Sequence, residues 1–430
     1  MQIFIRPLDT QFHRSGLPFD AGEETEVPSF FPPFPRTIYG ALRARAMAES
    51  GGFLGLDTDF DPGKHTDIHG DGMSFGNLKI KGPIVARLNA GGRLENSLFF
   101  PFPLDLVMEK KSKRMVLLSP SPAGKECGWD LEAPSLSFLD QAGMKKPLAG
   151  NVVKSLSGEF FLSFGKLRSY LQHRVHGDVG LFEEGKADAL FRPEQRTGIA
   201  RDSVSRTARE SMLYSIRHFR MMDRCENICG FFVSIENHGM SLSAEGTLQI
   251  GGDFRAAGYR SLAVDDSVSW WDEHKAAVAE GVVQTGRFKA FYITPALFKA
   301  GCVPDIEEWS SSEGGKCLGL AVPSAKGDSV RFELVGACIG KPRCIGGWDI
   351  QGRRPKAIRK CVPEGSVYFF QADPREWSML GEADKRASVE EVFRRYNFRS
   401  WCSMEPWTDD GGTEHGPGKE GFGIALIGGW

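Results

Sequence analysis

The spacing of apolar residues predicts a chain that mixes β-strands with a few helices. The opening stretch MQIFIRPL has the apolar content of a short strand. After the proline-rich stretch FFPPFP the composition becomes helical, and Ile38, Ala41, Leu42 and Ala46 recur at helical spacing. Because proline is tolerated in a first helical turn, we expect this helix to begin at Pro35.

The same criteria predict further elements along the chain. Strands are expected at NLKIKGPIVARL, LYSIRHFRM, CGFFVSIEN, FKAFYITPALF, VRFELVGACIG and GSVYFF. Helices are expected at FGKLRSYLQHRV and ADKRASVEEVFRRY. Gly, Asp, Ser and Pro content predicts loops near residues 57–75 and 405–420 and irregular structure from about 119 to 150.

The last ten residues, GFGIALIGGW, could be a membrane tail, a phosphate loop or a closing strand. They are half the length of the ~20 apolar residues that cross a bilayer. The string GPGKEG fits a dinucleotide fingerprint, but no helix can follow it. A glycine turn at residues 421–423 that leads into a buried strand at residues 424–427 is therefore expected.

The stretch LQIGGDFRAAGYRSLAV has the same outline, with a glycine turn that leads into a strand. A second series of strands then begins near FKAFYITPALF. The pattern predicts an α+β protein made of two similar units, residues 1–265 and 266–430.

Composition places the chain among ordinary folded proteins. It has 430 residues, 41% of them hydrophobic and 25% charged, with a formal net charge of −2. Nine cysteines are scattered without a CxxC pair, which predicts reduced thiols in a cytoplasmic protein and disfavours a zinc ribbon. The N-terminus is charged too early for a signal peptide, and no apolar run predicts a membrane span.

Positive charge is concentrated in two segments. Residues 192–224 hold eight arginines against four acids, and residues 341–360 hold seven lysines and arginines against one acid. The middle of the first segment, GIARDSVSRTA, is typical of an extended arm or hairpin. Because arginine binds phosphate in a bidentate manner and stacks on bases, both segments predict RNA or DNA contact. A solvated face with scattered ion pairs is the alternative.

Other candidate chemistry is weaker. The motif HTDIHGD contains possible metal ligands, but its glycines favour a polar loop, and we predict no metal and no cofactor. His13 and His218 each lie beside an arginine and could act as general acid or base in metal-independent RNA cleavage.

Six motifs in order resemble the RAMP superfamily of CRISPR proteins, and within it subunit three of the type III-B Cmr RNA-guided interference complex. They are LDTQFHRSGLPF with FPPFPRTIYGALRARAM, TGIARD…SRTARESMLYSIRHFRM, IGGDFRAAGY, YITPALF, GGWDIQGRRPKAIRKCVPEGSVYFF and GFGIALIGGW. The long loops near 57–75 and 405–420 depart from the usual pattern of that family.

The resemblance implies two ferredoxin-like (RRM-type) βαββαβ units with loop and hairpin insertions. It implies a non-catalytic subunit that grips the repeat-derived 5′ tag of the CRISPR guide RNA. The expected protein partners are the large polymerase-like subunit and the backbone RAMP subunits of the complex. The alternative function is a metal-independent endoribonuclease that processes CRISPR RNA with His13 or His218.

The candidate RNA-binding residues come from four places. The glycine-rich loop of the superfamily corresponds to Gly421 and Gly423 in this chain. The hairpin of related subunits corresponds to residues 196–209. Together with the first helix and the second basic segment, the predicted set is Arg36, Thr37, Arg43, Arg196, Arg201, Arg206, Arg209, Arg353, Arg354, Lys356, Gly421 and Gly423.

Overall fold

The computed structural model describes residues 1–14, 26–27, 29–49, 76–91, 94, 97–120, 139–141, 153–224, 227–236, 242–262, 270–310, 316–349, 354–408 and 414–430. The predicted loop at residues 57–75, the HTDIHGD motif within it and Arg353 lie outside these ranges. The predicted loop at 405–420 is described only in part.

A seven-stranded antiparallel sheet, the first sheet, uses strands from residues 2–261. In spatial order its strands are Glu245–Gln249, Ala256–Ser261, Gln2–Pro7, Ile228–Glu236, Lys79–Leu88, Leu98–Pro101 and Phe161–Ser163. The strand predicted at MQIFIRPL is confirmed. Ile3, Phe4 and Ile5 are all buried, because this strand lies inside the sheet and both of its faces are covered.

The second sheet also has seven strands, all with antiparallel neighbours, and uses residues 287–429. In spatial order its strands are Glu307–Ser310, Lys316–Pro323, Ser329–Cys338, Val367–Ala372, Arg287–Tyr292, Ile424–Gly429 and Arg399–Ser400. The closing strand predicted from the last ten residues is therefore confirmed, and it lies beside the strand Arg287–Tyr292.

The described helices are Pro35–Glu49, Phe164–Leu171, Ala187–Leu190, Trp270–Thr285, Pro374–Met379, Glu382–Tyr396 and Pro417–Glu420, with 3-10 turns at Val179–Gly185 and Gly252–Phe254. The first helix begins at Pro35 as predicted and buries Ile38, Leu42 and Ala46. Trp270–Thr285 was not predicted. No helix in the described ranges is long and apolar enough to cross a membrane.

The prediction of irregular structure from 119 to 150 is wrong in part. A four-stranded sheet is formed by Leu139–Gln141, Met115–Pro120, Leu106–Glu109 and Val153–Ser155. Leu118 pairs with Gln141 and Pro120 with Leu139. These strands are short, and backbone pairing with distant partners stabilises them in a Pro- and Ser-rich context that locally favours turns.

Both sheets contribute to one hydrophobic core. On one face of the first sheet, Ile3 and Ile5 pack in a cluster with Ile38 of the first helix. On the opposite face, Phe232 belongs to a larger cluster that also contains Phe288 of the second sheet. The two sheets are therefore held against each other by apolar burial, which stabilises by about 25 cal/mol per Å².

Candidate nucleic-acid interface

The first basic segment forms a long hairpin, here called the arginine hairpin (residues 191–221). Its strands Phe191–Arg201 and Ala208–Met221 pair antiparallel from Phe191–Met221 at the base to Arg201–Ala208 near the turn. This confirms the hairpin alternative of the prediction. Most of its described side chains are exposed or half-buried, and Val204 at the turn is 91% exposed. The hairpin therefore projects from the body of the molecule.

Asp202 stabilises the turn at the tip of the arginine hairpin. Its carboxylate accepts hydrogen bonds from the backbone N–H groups of Val204 and Ser205, at 3.0 and 2.9 Å. These bonds lower the pKa of Asp202, so the carboxylate stays charged. It also lies 3.5 Å from the guanidinium of Arg209. Arg201, Arg206 and Arg209 are exposed around this turn, which leaves the tip with a net positive charge.

The base of the arginine hairpin carries an ion-pair network. Arg196 and Arg220 both bind Glu194, at 2.9 and 2.8 Å. Asp9 lies 3.1 Å from Arg220 and 3.1 Å from Arg255. A backbone hydrogen bond and these arginines lower the pKa of Asp9. The predicted residue Arg196 is thus paired within the protein.

The second basic segment also folds back on itself, as the second hairpin (residues 343–349 and 354–361). Arg343–Ile345 pairs with Arg359–Cys361, and Trp348–Asp349 pairs with Arg354–Pro355. Lys356 is half-buried beside Gly347. The backbone of Arg354 lies in a strand, and its side chain is not described.

Two further cations belong to the second basic segment. Lys341, just before the second hairpin, and Lys360, within it, are both exposed and are not among the predicted RNA-binding residues. The guanidinium of Arg343 binds Glu364 at 2.7 Å. That of Arg359 lies 5.5 Å from the centre of the Trp407 ring. These two arginines therefore hold the hairpin to the body, whereas the lysines face solvent.

The FFPPFP segment (residues 30–35) contacts both hairpins. The ring of Phe31 stacks on Phe191 at the base of the arginine hairpin, with 3.7 Å between ring centres. The guanidinium of Arg343, in the second hairpin, lies 5.4 Å from the centre of the Phe30 ring. The two basic segments, distant in sequence, thus start from the same part of the molecule. Sequence reasoning missed Phe30 and Phe31, because their role depends on partners far along the chain.

The first helix contributes three predicted residues. Arg36 is mostly buried and forms a bidentate ion pair with Glu420. Thr37 is half-buried, and its backbone N–H donates to Phe34 in the first helical turn. Arg43 is half-buried two turns further on. Arg36 contacts the second hairpin, and Thr37 and Arg43 lie on the same helix. RNA contact by these three residues stays a prediction.

The terminal turn (residues 421–423) is a tight turn, as predicted. Gly421 and Gly423 have φ values of +93° and +68°, in the region that favours glycine. A Cβ on Gly421 would lie 3.0 Å from the backbone oxygens of Ile80 and Gly82, and one on Gly423 would lie 2.5 Å from the Cys402 Sγ. Both glycines are buried, so packing within the chain requires them. RNA contact at these positions stays a prediction.

The structure brings His13 and His218 close together at the base of the arginine hairpin. Both are buried, and Thr10 Oγ1 lies 3.2 Å from His218 Nδ1. Burial and the neighbouring His218 lower the pKa of His13 to about 3, so its ring is neutral near pH 7. Neither ring nitrogen of His13 has a hydrogen-bond partner among the described residues.

A metal site has little support in the described ranges. They contain no group of three or more His, Cys, Asp and Glu that could hold a metal ion. The seven cysteines in these ranges form no disulfide with one another.

Comparison with known proteins identifies a family that covers nearly the whole chain. The family described as "CRISPR-associated protein (Cas_Cmr3)" matches residues 3–430. None of the curated proteins compared with the chain matches it. A solved structure of "Type III-B Cmr-beta bound to cognate target RNA" contains a chain 17% identical, with 91% of this chain and 94% of that chain covered and a TM-score of 0.42. A second, with AMPPnP, is 15% identical over 86% of each chain, also with a TM-score of 0.42.

Proposed function

The chain belongs to the Cas_Cmr3 family of CRISPR-associated proteins, and we propose that it is a non-catalytic guide-RNA-binding subunit of a type III-B Cmr complex. In this role it grips the repeat-derived 5′ tag of the guide and docks on the large polymerase-like subunit. The backbone RAMP subunits of the complex are its other proposed neighbours. The motif order that resembled subunit three of this complex agrees with the family match.

One observation carries the RNA-binding part of this proposal. The FFPPFP segment contacts the base of the arginine hairpin through Phe31 and the second hairpin through Phe30. Two basic hairpins that start from one segment can line a single path for a phosphate backbone. The exposed arginines at the tip of the arginine hairpin supply charge at one end of this path. Because the whole chain has a net charge of −2, this positive surface is local.

The proposed RNA contacts differ in their support. Arg201, Arg206 and Arg209 are exposed at the tip and are the strongest candidates. Lys356 would extend the surface along the second hairpin. Arg353 and Arg354 are proposed contacts from the sequence. Arg196 would act from the hairpin base, and Thr37, Arg43, Gly421 and Gly423 would act from the first helix and the terminal turn.

Strand order supports two ferredoxin-like units. In a βαββαβ unit the first strand lies between the third and the fourth, and the third lies beside the second. The first sheet contains this order as Ala256–Ser261, Gln2–Pro7, Ile228–Glu236 and Lys79–Leu88. The second sheet contains it as Ile424–Gly429, Arg287–Tyr292, Val367–Ala372 and Ser329–Cys338.

Each proposed unit carries one helix of the pattern. Pro35–Glu49 follows the first strand of the first unit, and Glu382–Tyr396 follows the third strand of the second unit. We place the division near residue 265, as residues 1–265 and 266–430, because strands of the two sheets come from opposite sides of it. Both units share core residues, so the proposed domains are not separate bodies.

The test is ultraviolet crosslinking of the guide RNA in the assembled complex, followed by mass spectrometry of the crosslinked peptides. Crosslinks are expected in peptides of the arginine hairpin and the second hairpin, to nucleotides of the 5′ tag. A guide that crosslinks only to the other subunits would contradict the RNA-binding role and leave this chain a protein scaffold.

The rival function, endoribonuclease cleavage with His13 or His218, makes an opposite prediction. A general base must reach the proton that it removes, and His13 is only 2% exposed. Incubation of the purified protein with repeat RNA is therefore expected to leave the RNA intact. A defined cut that His13→Ala or His218→Ala abolishes would overturn the non-catalytic assignment.

A further inference from the structure

The Arg36 guanidinium donates hydrogen bonds to other residues of the same chain. Its Nε and Nη2 atoms donate to the two carboxylate oxygens of Glu420, at 2.8 and 3.0 Å. Its Nη1 donates to the backbone oxygen of Gly346 at 3.2 Å, and its Nη2 lies 3.4 Å from His415 Nδ1. The side chains of Arg36 and Glu420 are 14% and 3% exposed. The two charges neutralise each other, which leaves little to attract a phosphate.

These contacts join three segments that are remote in sequence. Arg36 lies in the first turn of the first helix. Gly346 lies inside the second hairpin, where the backbone N–H of Lys356 donates to the oxygen of Gly347. Glu420 is the residue directly before the terminal turn. A single guanidinium thus links the first unit to both the second hairpin and the glycine-rich end of the chain.

Contacts among aromatic rings and a guanidinium extend this link to the other strand of the second hairpin. The ring of His415 stacks on Trp407, with 4.6 Å between ring centres. The guanidinium of Arg359 lies 5.5 Å from the centre of the same Trp407 ring. Arg36 itself lies 5.9 Å from the centre of the Phe422 ring in the terminal turn. The second hairpin is therefore held through Arg36 on one strand and through Arg359 on the other.

We propose that Arg36 is a positioning residue that orients the second hairpin and the terminal turn for RNA, and that it does not contact RNA itself. This inference rests on the proposed function and replaces the expectation of a phosphate contact at Arg36. Planar guanidinium geometry is required, because a lysine ammonium is a point charge that cannot bridge the Glu420 carboxylate and Gly346 in the same way.

The experiment compares Arg36→Gln, Glu420→Gln and Arg36→Lys in the full-length protein. Two quantities are measured: affinity for a fluorescent single-stranded RNA that begins with the repeat-derived tag, and hydrogen exchange of residues 343–361. A positioning role predicts that Arg36→Gln and Glu420→Gln both weaken binding, by about three- to tenfold, and both speed exchange in the second hairpin. Arg36→Lys is expected to share both defects.

The sign of the Glu420→Gln effect separates the two roles. If Arg36 contacted phosphate, removal of its acidic partner would free the guanidinium and strengthen RNA binding, and Arg36→Lys would bind nearly as wild type. Either result, or unchanged exchange in the second hairpin, overturns the proposal. The matched control is Arg45→Gln, which removes an Arg–Glu pair from the same helix at Glu49. It is expected to leave exchange at residues 343–361 unchanged.

Failure of the proposed function has a different signature. A wild-type protein that does not bind the tagged RNA, alone or within the complex, would refute RNA binding. The exchange data on the second hairpin would still decide whether Arg36 and Glu420 hold it in place. Rescue of exchange protection by the charge swap Arg36→Glu with Glu420→Arg would support the positioning role further.

Discussion

Lys289 of the second sheet and Asp105, 184 positions away in the sequence, form a fully buried ion pair. The Lys289 Nζ atom lies 2.8 Å from Asp105 Oδ2, and both side chains are 0% exposed. Tyr170 donates its hydroxyl to the other carboxylate oxygen of Asp105 at 2.6 Å. Burial lowers the pKa of Lys289, although the nearby carboxylate opposes this effect.

Removal of one partner from this pair should be costly. Lys289→Met leaves the Asp105 carboxylate buried without its cation, and we expect a loss of about 3–5 kcal/mol in the free energy of unfolding. The double variant Lys289→Met with Asp105→Asn keeps an acceptor for Tyr170 and should lose less. Urea denaturation measures both.

Arg386→Met, which breaks an exposed pair with Glu280, is the control and should cost under about 1 kcal/mol. Equal losses for Lys289→Met and Arg386→Met would refute the prediction.

Charge at the tip of the arginine hairpin should control RNA affinity. Arg201→Glu with Arg206→Glu is expected to weaken binding of tagged RNA. It should also lower the slope of log affinity against log salt by about 0.7 for each lost phosphate contact. Fluorescence anisotropy over a salt series checks both quantities. Lys299→Glu with Arg375→Glu gives the same change in net charge at exposed positions outside both hairpin sequences and should change the slope little. An unchanged affinity in the hairpin variant at physiological salt would count against this surface.

The terminal turn should not tolerate a side chain at position 423. Gly423→Ala introduces a Cβ at φ +68° that would lie 2.5 Å from Cys402 Sγ. We expect a loss of about 1–3 kcal/mol of stability from backbone strain and this contact.

Gly301 has a φ of +74° and no atom within 4 Å of its Cβ position, so Gly301→Ala isolates the strain. Urea denaturation should show the larger loss for Gly423→Ala, and Cys402→Ala should restore part of it. Equal losses at positions 301 and 423 would show that the Cys402 contact is unimportant.

Stability should fall in mild acid because of His13. The folded-state pKa of His13 is about 3, because burial and the nearby His218 disfavour its charged form. In the unfolded chain the His13 side chain has a pKa near 6.5. Below that pH the unfolded chain therefore binds a proton that the folded chain does not bind. The contribution of His13 is complete above pH 6.5 and is lost as the pH falls toward 3, by up to about 1.4 kcal/mol per pH unit. Thermal or urea unfolding at several pH values should therefore show a shallower decline for His13→Leu. Parallel profiles for the two proteins would contradict this prediction.

Local sequence pattern determined several elements of this protein. The apolar run at residues 2–7, the helical spacing of Ile38, Leu42 and Ala46, and the glycine turn before the closing strand all gave correct predictions, because each depends on neighbouring residues. The basic stretch GIARDSVSRTA likewise predicted an extended arm or a hairpin, and the turn of the arginine hairpin lies there. The strand pairing of Met115–Pro120 with Leu139–Gln141 was missed, since it joins short strands through distant backbone partners.

Only the tertiary structure decided what the charged residues of the candidate site do. In the sequence, Arg36 and Arg201 are both cations in basic surroundings. In the folded chain Arg36 is neutralised by Glu420, 384 positions away, whereas Arg201 is exposed to solvent at a hairpin tip. The physical reason is that the energy of a charge depends on its solvation and its nearest partner, and both are set by contacts between remote segments.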